Sequence, residues 1–499
     1  MSRIALRVLL VLLILGLGLP AARAQEQPAQ QQQQQQKPAT QKPTDTRVAP
    51  PTAPIPPLST EKAKGEQPSP GSGQPTSPSD QGVQPLTGVE VYTLSTMGRG
   101  HNYFYPLFQV AESGDTNANN NYGSSAVESF STISGAFTLN HAWSRYNFQA
   151  NYTGSGFIYN QDASQSSSAH AFSFSQAIQG VRSSFLVTDQ VSYLPEASFG
   201  YARFGNFGGF GIGGLTGINS SNLNGIYIPN QSILTGDSTR VSNSAVAEYD
   251  YSLSPLSSLT FTGAYSLLRF PDSGFIDSNA GIFGMGYNHS LTQRDTLGIT
   301  YMGSVYRYDQ SSDDFSNHIV ALMYGHQISH LLSLRLGGGP QVNLLGSTAN
   351  NDTNVSWYAT ASLVYQLRRT GLSLNYRHYT SEGAGVFLGA KTDNLGLTIN
   401  RQLTRMWSGD LSAGYSHNTH LQATSTSTAS PTFNTWYAST NLQRPLGQYM
   451  NMFLSYNLQQ QSSNNPYCIG SSCGTFYTRN YFSLGFNWHP RVTEIGGIH

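Results

Sequence analysis

Most of the chain after residue 86 consists of short segments in which apolar and polar side chains alternate. In Ser333–Leu344, leucines, a valine and a glycine occupy one set of alternate positions, while serine, arginine, glutamine and asparagine occupy the other. Tyr146–Ile158 and Met450–Gln459 divide in the same way. Successive side chains of a β-strand point to opposite faces, so this alternation predicts strands with one apolar and one polar face.

Composition indicates which kind of β-protein these strands form. Charged residues make up 10% of the chain, whereas ordinary soluble domains contain about 25%. The polar faces carry asparagine, glutamine, serine and threonine, which suit a wet interior better than a soluble exterior. The formal net charge is zero and Lys391 is the single lysine after Lys64. This excludes the basic patch that nucleic-acid binding requires, so we expect no nucleic-acid partner.

The N-terminus predicts export from the cytoplasm. Arg3 and Arg7 precede the apolar run Val8–Leu19, and Ala22-Arg23-Ala24 then provides small residues around a cleavage site. Residues 1–24 are therefore predicted to be a secretory signal peptide. No other stretch approaches the ~20 apolar residues that a spanning helix needs. A membrane form of the chain must then be a closed β-barrel, which satisfies every backbone group in lipid.

The remaining composition divides the chain into segments. Residues 25–85 are rich in glutamine and proline and are nearly free of aromatic side chains, so they are predicted to be disordered. Two interpretations of them stay open, a simple spacer and a periplasmic tether. Residues 86–490 are predicted to form the barrel, and residues 491–499 a C-terminal tail.

Turns and aromatic residues predict the topology. Short turns alternate with longer polar connections, as in bacterial barrels whose short turns face the periplasm. The count gives an all-β, transmembrane, antiparallel up-and-down barrel of about 18 strands in the bacterial outer membrane. Sixteen strands is the alternative, because Ser183–Tyr193 carries Asp189 on its apolar face. A stacked solenoid is disfavoured, because no repeat of fixed period is present. Aromatic residues cluster at segment ends, as at the two lipid interfaces of such barrels: Trp143, Tyr146, Trp357, Trp407, Trp436, Tyr437 and Trp488.

The longest connection, Leu194–Val241, follows the fifth predicted strand and contains many aromatic and glycine residues. Unstructured connections this long usually mean function or disorder. Its position resembles that of the third external loop of the general bacterial porins, which folds into the barrel and narrows the pore. The resemblance is architectural and includes no sequence motif. A flexible external loop is the other interpretation.

The resemblance implies a pore constriction formed by charged and aromatic residues of this loop. The predicted constriction residues are Glu196, Tyr201, Arg203, Phe204, Phe207, Phe210, Asp237 and Arg240. Four further charges lie on the polar faces of strands and are predicted to line the lumen wall: Glu248, Asp250, Arg335 and Arg377.

Cys468 and Cys473 are the two cysteines of the chain. In an exported protein this pair predicts a local disulfide. A redox or metal site is the competing interpretation, but it calls for CxxC spacing or further cysteine and histidine partners. We expect no metal and no cofactor.

The resulting hypothesis is an outer-membrane channel for passive diffusion of small polar solutes, with sugars as candidates. The alternative is a secretion or surface-interaction barrel that recruits periplasmic partners through residues 25–85. An enzyme is disfavoured, because the chain has several histidines and many serines but neither a GxSxG elbow nor an HExxH helix. The sequence leaves open whether the barrel is a monomer or a homo-oligomer.

Overall fold

A computed structural model of the chain describes residues 102–117, 127–161, 166–195, 214–215, 218–219, 230, 232–235, 238–272, 274–309, 311, 314–346, 351–421, 431–464, 476–491 and 493–494. The predicted signal peptide, the Gln/Pro-rich segment and both cysteines lie outside these residues. Within them, no helix is long and apolar enough to cross a membrane.

The described residues form β-strands joined by turns and loops. The strands are β1 (Tyr103–Asp115), β2 (Glu128–Trp143), β3 (Tyr146–Tyr159), β4 (Ser167–Gln179), β5 (Ser183–Leu194), β6 (Gly214–Leu215), β7 (Ile218–Asn219), β8 (Arg240–Ser254), β9 (Ser257–Arg269), β10 (Ser278–Ser290), β11 (Asp295–Tyr308), β12 (Phe315–Ser329), β13 (Leu332–Gly346), β14 (Asn351–Leu367), β15 (Thr370–Ser381), β16 (Ala390–Gln402), β17 (Ser408–His420), β18 (Thr432–Pro445), β19 (Met450–Ser463), β20 (Phe476–Trp488) and β21 (Thr493–Glu494).

Eighteen of these strands, β1–β5 and β8–β20, form one closed antiparallel barrel. Each strand pairs with its neighbours in chain order, and β1 also pairs with β20, where Phe108–Asp115 lies opposite Tyr481–Trp488. The prediction of 18 strands is confirmed and the alternative of 16 is wrong, because Ser183–Tyr193, the segment on which the alternative depended, forms strand β5. Asp189 is accommodated on that strand because Asn243 Nδ2 of β8 donates to its Oδ1 at 2.6 Å.

The two faces of the barrel differ as the alternation predicts. On β19, Leu454 is 48% exposed and points outward, whereas its neighbour Ser455 is 1% exposed and points inward. Large apolar side chains exposed on the outer face include Val110, Ile158, Phe283, Ile299, Leu322, Leu336, Leu374 and Leu484. Buried polar side chains on the inner face include Ser134, Gln149, Ser173, Thr188, Thr262, Thr300, Ser412 and Asn457. A closed barrel with an apolar exterior and a polar interior is the architecture of outer-membrane proteins. Its apolar outer face contacts lipid.

Short and long connections alternate around the barrel, as predicted. The turn from β2 to β3 is two residues long, and Ser144 adopts a φ of 46° there. Two-residue hairpins require such left-handed backbone. The long connections share the opposite end of the barrel, which is the external end in bacterial barrels.

The first strand is longer than its sequence suggests. It continues to Asp115, although the small and polar residues from Ser113 onward are typical of a loop. Ser113 and Gly114 have loop-like composition, yet they lie opposite Ser483 and Phe482 of the last strand. Pairing across the closing seam overrides the weak strand propensity of small residues here.

Beyond β20 the chain continues along β1. Thr493 and Glu494 (β21) pair with Phe104 and Tyr103, below the part of β1 that pairs with β20. Between them, the amide of His489 donates to the carbonyl of Tyr449 at 2.9 Å. The closing seam is therefore formed by two successive segments, β20 and β21.

Candidate functional site at the external end of the barrel

The predicted constriction residues belong to the long connection between β5 and β8. It joins the fifth and sixth strands of the barrel, as predicted. Of its eight predicted constriction residues, the structure describes Arg240. The others lie outside the described residues: Glu196, Tyr201, Arg203, Phe204, Phe207, Phe210 and Asp237.

The last part of this connection is described, and it contacts the far wall of the barrel. Asn230 Nδ2 lies 3.1 Å from Ser381 Oγ of β15, 3.3 Å from Thr392 Oγ1 of β16 and 3.2 Å from Asn418 Oδ1 of β17. The Ser232 hydroxyl donates to the same Asn418 oxygen at 3.1 Å. In the circular strand order, β17 lies nine strands from β8 in one direction and eight from β5 in the other. Asn230 and Ser232 of the connection thus contact the wall opposite the strands that the connection joins.

A second anchor fixes the connection to β19. The backbone amide of Leu234 donates to Gln461 Oε1 at 2.8 Å, and Gln461 Nε2 donates to the Leu234 carbonyl at 2.8 Å. Thr435 on β18 orients the amide by donating to Gln461 Oε1 at 3.0 Å. The glutamine thereby pairs with the loop backbone as a strand would, in a buried environment where such bonds are costly to lose.

Arg240 ends the connection at the first position of β8. Its side chain is fully buried, and Nη2 donates to Thr235 Oγ1 at 2.7 Å. The guanidinium also lies over the Phe270 ring, 5.2 Å from the centroid, which is a favourable cation–π geometry. The only described member of the predicted constriction set therefore lies inside the barrel.

A second loop, Glu382–Gly389 between β15 and β16, also lies inside the external end. Gly383, Gly385 and Gly389 have φ of 91°, 80° and 88°, which side chains other than glycine rarely adopt. A Cβ at Gly385 would overlap the Phe270 ring, and the Ile276 amide donates to the Gly385 carbonyl at 2.8 Å. Its three closely spaced glycines are the one local signal in the sequence for this close backbone approach.

The two loops pack on each other through an apolar cluster. Ile233 of the long connection is grouped with Ala384 and Phe387 of the short loop, and with Phe433 of β18. The rings of Phe387 and Phe433 meet edge to face, with centroids 5.4 Å apart. Burial of these side chains stabilises the inward conformation of both loops together.

Glu382 is the polar link between the loops. Its carboxylate accepts a hydrogen bond from the backbone amide of Asn230, and its carbonyl accepts one from the Tyr308 hydroxyl at 2.9 Å. Complete burial raises the pKa of the Glu382 carboxyl to about 7, although its backbone hydrogen bonds and the nearby Arg240 act in the opposite direction. Because of this burial, the Glu382 carboxyl gains and loses its proton close to neutral pH.

The four charged residues predicted to line the lumen wall lie on three strands. Glu248 and Asp250 lie two residues apart on β8, and Asp250 accepts hydrogen bonds from Thr260 and, at 3.4 Å, from Ser184. The arginines lie on β13 and β15, five and seven strands away from β8. The barrel thus places the two acids together on one wall and Arg335 and Arg377 on another.

Sequence reasoning missed the inward-facing charges of Asp410, Arg479 and Asp115. Asp410 of β17 accepts a hydrogen bond from Asn441 Nδ2 at 3.1 Å. Arg479 of β20 forms a buried ion pair with Asp115 of β1. None of the three has a local motif, because its partner is on another strand.

Several histidines of the barrel wall form hydrogen bonds with tyrosine or aspartate side chains on neighbouring strands. On the outer face, His170 is hydrogen-bonded to the Tyr152 hydroxyl at 3.0 Å and His318 to the Tyr301 hydroxyl at 2.9 Å. His378 is hydrogen-bonded to Asp393 Oδ1 at 2.8 Å. These pairs lie in the aromatic girdle of the barrel wall.

Comparisons with known proteins find distant structural similarity. No family model and no curated protein sequence matches the chain. Among solved structures, OpdK of Pseudomonas aeruginosa with vanillate has 8% identity over 78% of this chain and 100% of that chain, with a TM-score of 0.39. OccK2 (OpdF) of the same species, in complex with glucuronate, has 9% identity over 78% and 100%, with a TM-score of 0.40. The ferric preacinetobactin receptor BauA of Acinetobacter baumannii has 9% identity over 77% and 80%, with a TM-score of 0.37. Values this low do not assign the chain to a family.

Proposed function

We propose that the chain is an outer-membrane channel for passive diffusion of small polar solutes, narrowed at its external end by the connection 194–241. The observation that carries this proposal is the anchoring of Asn230 and Leu234 to the opposite wall. A segment that crosses the lumen divides its cross-section, and a loop held at both sides of the wall keeps the remaining opening constant. The short loop Glu382–Gly389 is a second part of the same constriction.

The chemistry of the inner wall supports water in the lumen. Several buried inward-facing polar atoms have no hydrogen-bond partner among the described residues, including Gln149 Nε2, Thr300 Oγ1 and Ser412 Oγ. Buried polar groups in proteins are hydrogen-bonded to protein or to ordered water. Water molecules inside the barrel satisfy such atoms, and a hydrated wall of hydroxyls and amides favours polar solutes.

The charges indicate where selectivity arises. Glu248 and Asp250 place two carboxyl groups on one wall, and Arg335 and Arg377 place two guanidinium groups on another. Charges beside a low-dielectric wall focus the field along the path of an ion. Within the long connection, we expect Glu196 and Asp237 to favour cations, and Tyr201 and Phe204 to offer sugars an aromatic surface.

Planar-bilayer recording tests the channel. The parent protein should show stepwise opening, and deletion of residues 205–225 should raise the single-channel conductance. Gln461→Ala, which releases the Leu234 backbone, should do the same. Asn457→Ala is the matched control, since it faces the same lumen four residues earlier on β19 and should leave conductance unchanged.

Two outcomes would contradict the proposal. Equal conductance after the deletion would place the connection outside the ion path. A folded but silent barrel that retains export machinery through residues 25–85 would support the secretion or surface-interaction hypothesis instead.

A further inference from the structure

At the seam between β14 and β15, hydrogen-bonded pairing ends well before either strand does. β14 and β15 pair over nine residues, from Leu367 opposite Thr370 to Ala359 opposite His378. By contrast, β13 and β14 pair over fifteen residues, and β15 and β16 over twelve. Both strands of the short seam therefore continue towards the external end, each paired with its other neighbour.

Beyond this point, β15 lies on the lumen side of β14. Tyr379, Thr380 and Ser381 are all buried, which breaks the alternation of exposed and buried residues along the strand. The side-chain amide of Gln341, on β13, donates to the Thr380 hydroxyl. Since β14 separates β13 from β15 in the wall, this bond requires the end of β15 to pass behind β14. The seam is an overlap of two layers at this level.

The sequence Gly337-Gly338-Gly339-Pro340 explains the divergence. A Cβ at Gly339 would overlap the Val320 carbonyl oxygen, so glycine allows β12 and β13 to approach closely. Pro340 has no amide hydrogen to donate to a ladder. These two residues lie opposite Tyr358 and Trp357 of β14. The neighbouring strands therefore bend at the level where the pairing of β14 with β15 ends.

The two sides of the overlap are lined by apolar and aromatic groups. On the lumen side, Met302, Ile319, Met323, Tyr358 and Tyr379 belong to one buried apolar cluster. On the outer side, Trp357 is 53% exposed, and its ring stacks on the His378 ring with centroids 3.9 Å apart and an interplanar angle of 6°. An apolar lining thus continues from the lumen to the lipid-facing surface.

We propose that the β14–β15 overlap is a lateral portal through which small amphipathic molecules move between the lumen and the outer leaflet. At a fully paired seam, lateral passage breaks a ladder of backbone hydrogen bonds, which is costly in lipid. Here the layers separate without breaking a β14–β15 ladder, and the Trp357–His378 stack closes the outer side. The cargo is a small molecule with an aromatic or aliphatic part, which matches the lining. The inference rests on the proposed function in one respect, because the lumen must admit solutes.

A reporter cysteine on the lumen side tests the portal. The parent for this experiment carries Cys468→Ser, Cys473→Ser and Met323→Cys, in vesicles. Pyrene maleimide dissolved in the bilayer probes access from lipid, and a sulfonated, membrane-impermeant maleimide probes access through water. Trp357→Ala should raise the labelling rate with the pyrene reagent several-fold, with little change for the sulfonated reagent.

Trp436→Ala is the matched control, since Trp436 is 48% exposed and packs on the Tyr415 ring, with centroids 4.3 Å apart and an interplanar angle of 38°, at a seam with continuous pairing. It should leave both rates unchanged, as should Trp357→Phe, which keeps an aromatic ring on His378. His378→Ala removes the other ring and serves if Trp357→Ala fails to fold. Equal rates in the Trp357→Ala and Trp436→Ala variants would overturn the portal. Bilayer conductance is recorded separately, so a conducting channel without lateral labelling rejects the portal alone.

Discussion

Arg479 of β20 and Asp115 of β1 form a buried ion pair across the seam that closes the barrel, although 364 positions separate them in the chain. Arg479 Nε lies 2.8 Å from Asp115 Oδ2 and 3.0 Å from Oδ1. The amide of Asn117 also donates to Oδ1 at 3.0 Å. The carboxylate therefore fixes the guanidinium and the chain that leaves β1 at the same time.

Arg479→Ala should destabilise the barrel by about 3–5 kcal/mol, because it leaves a buried carboxylate without its cation. Urea unfolding, followed by heat-modifiable gel mobility, measures the loss. Asp309→Ala is the control, since its pair with Arg269 at 3.1 Å is partly exposed and such pairs contribute at most about 1 kcal/mol. Equal losses in the two variants would show that the seam does not depend on the buried pair.

Leu454→Arg should cost roughly 2–4 kcal/mol, because it places a charge in hydrocarbon. Ser455→Arg should cost less, because the same charge enters a hydrated lumen. Leu336→Arg on β13 repeats the test, but Gly337 is a poor control for it, since a Cβ there would overlap the Met323 side chain. Equal tolerance of arginine at Leu454 and Ser455, read from folded yield in vesicles, would argue against the assigned faces.

The contact of Glu382 with Asn230 should depend on pH. The Glu382 carboxyl has a pKa of about 7 when the loops are docked, compared with an ordinary value of 4.5. Between these values the docked state binds more protons than the released state, so docking weakens as pH rises from 4.5 to 7 and is constant above 7. At about 1.4 kcal/mol per unit of pKa, the full change is about 3 kcal/mol.

Single-channel recordings at pH 5 and pH 8 measure this dependence. We expect conductance to be higher and noisier at pH 8, because ionised Glu382 weakens the loop contact. Glu382→Gln cannot ionise and should show the pH 5 behaviour at both values. A Glu382→Gln variant with the parent's pH dependence would assign the effect to another group.

Cys468 and Cys473 lie outside the described residues, so their disulfide stays a prediction. Alkylation of intact cells should label neither cysteine until a reductant is added. The bond closes a very small ring, and it should shape the loop more than it stabilises the barrel. Labelling without reductant would contradict the disulfide.

The sequence predicts features that repeat along the chain better than features made by distant residues. Alternation was sufficient to predict the strands and their faces, because each strand carries its own period-two pattern, and the order of short turns and long connections predicted about 18 strands. The end of β1 could not be predicted from its loop-like composition, since Ser113 and Gly114 are extended because they pair with β20. The inward position of Glu382–Gly389 depends on Phe270, Tyr308 and Ile233, which lie on three other elements. No local pattern contains such contacts.

The division of the closing seam between β20 and β21 has a consequence for the time course of folding. Pairing of β1 with these segments joins residues more than 360 positions apart, as in the bond between Ser113 and Ser483, and contacts of such long range form late. Until then, β1 has an open edge, and open edges invite pairing with other chains. We expect the nascent barrel to be most prone to aggregation between the synthesis of its first strand and the arrival of its last.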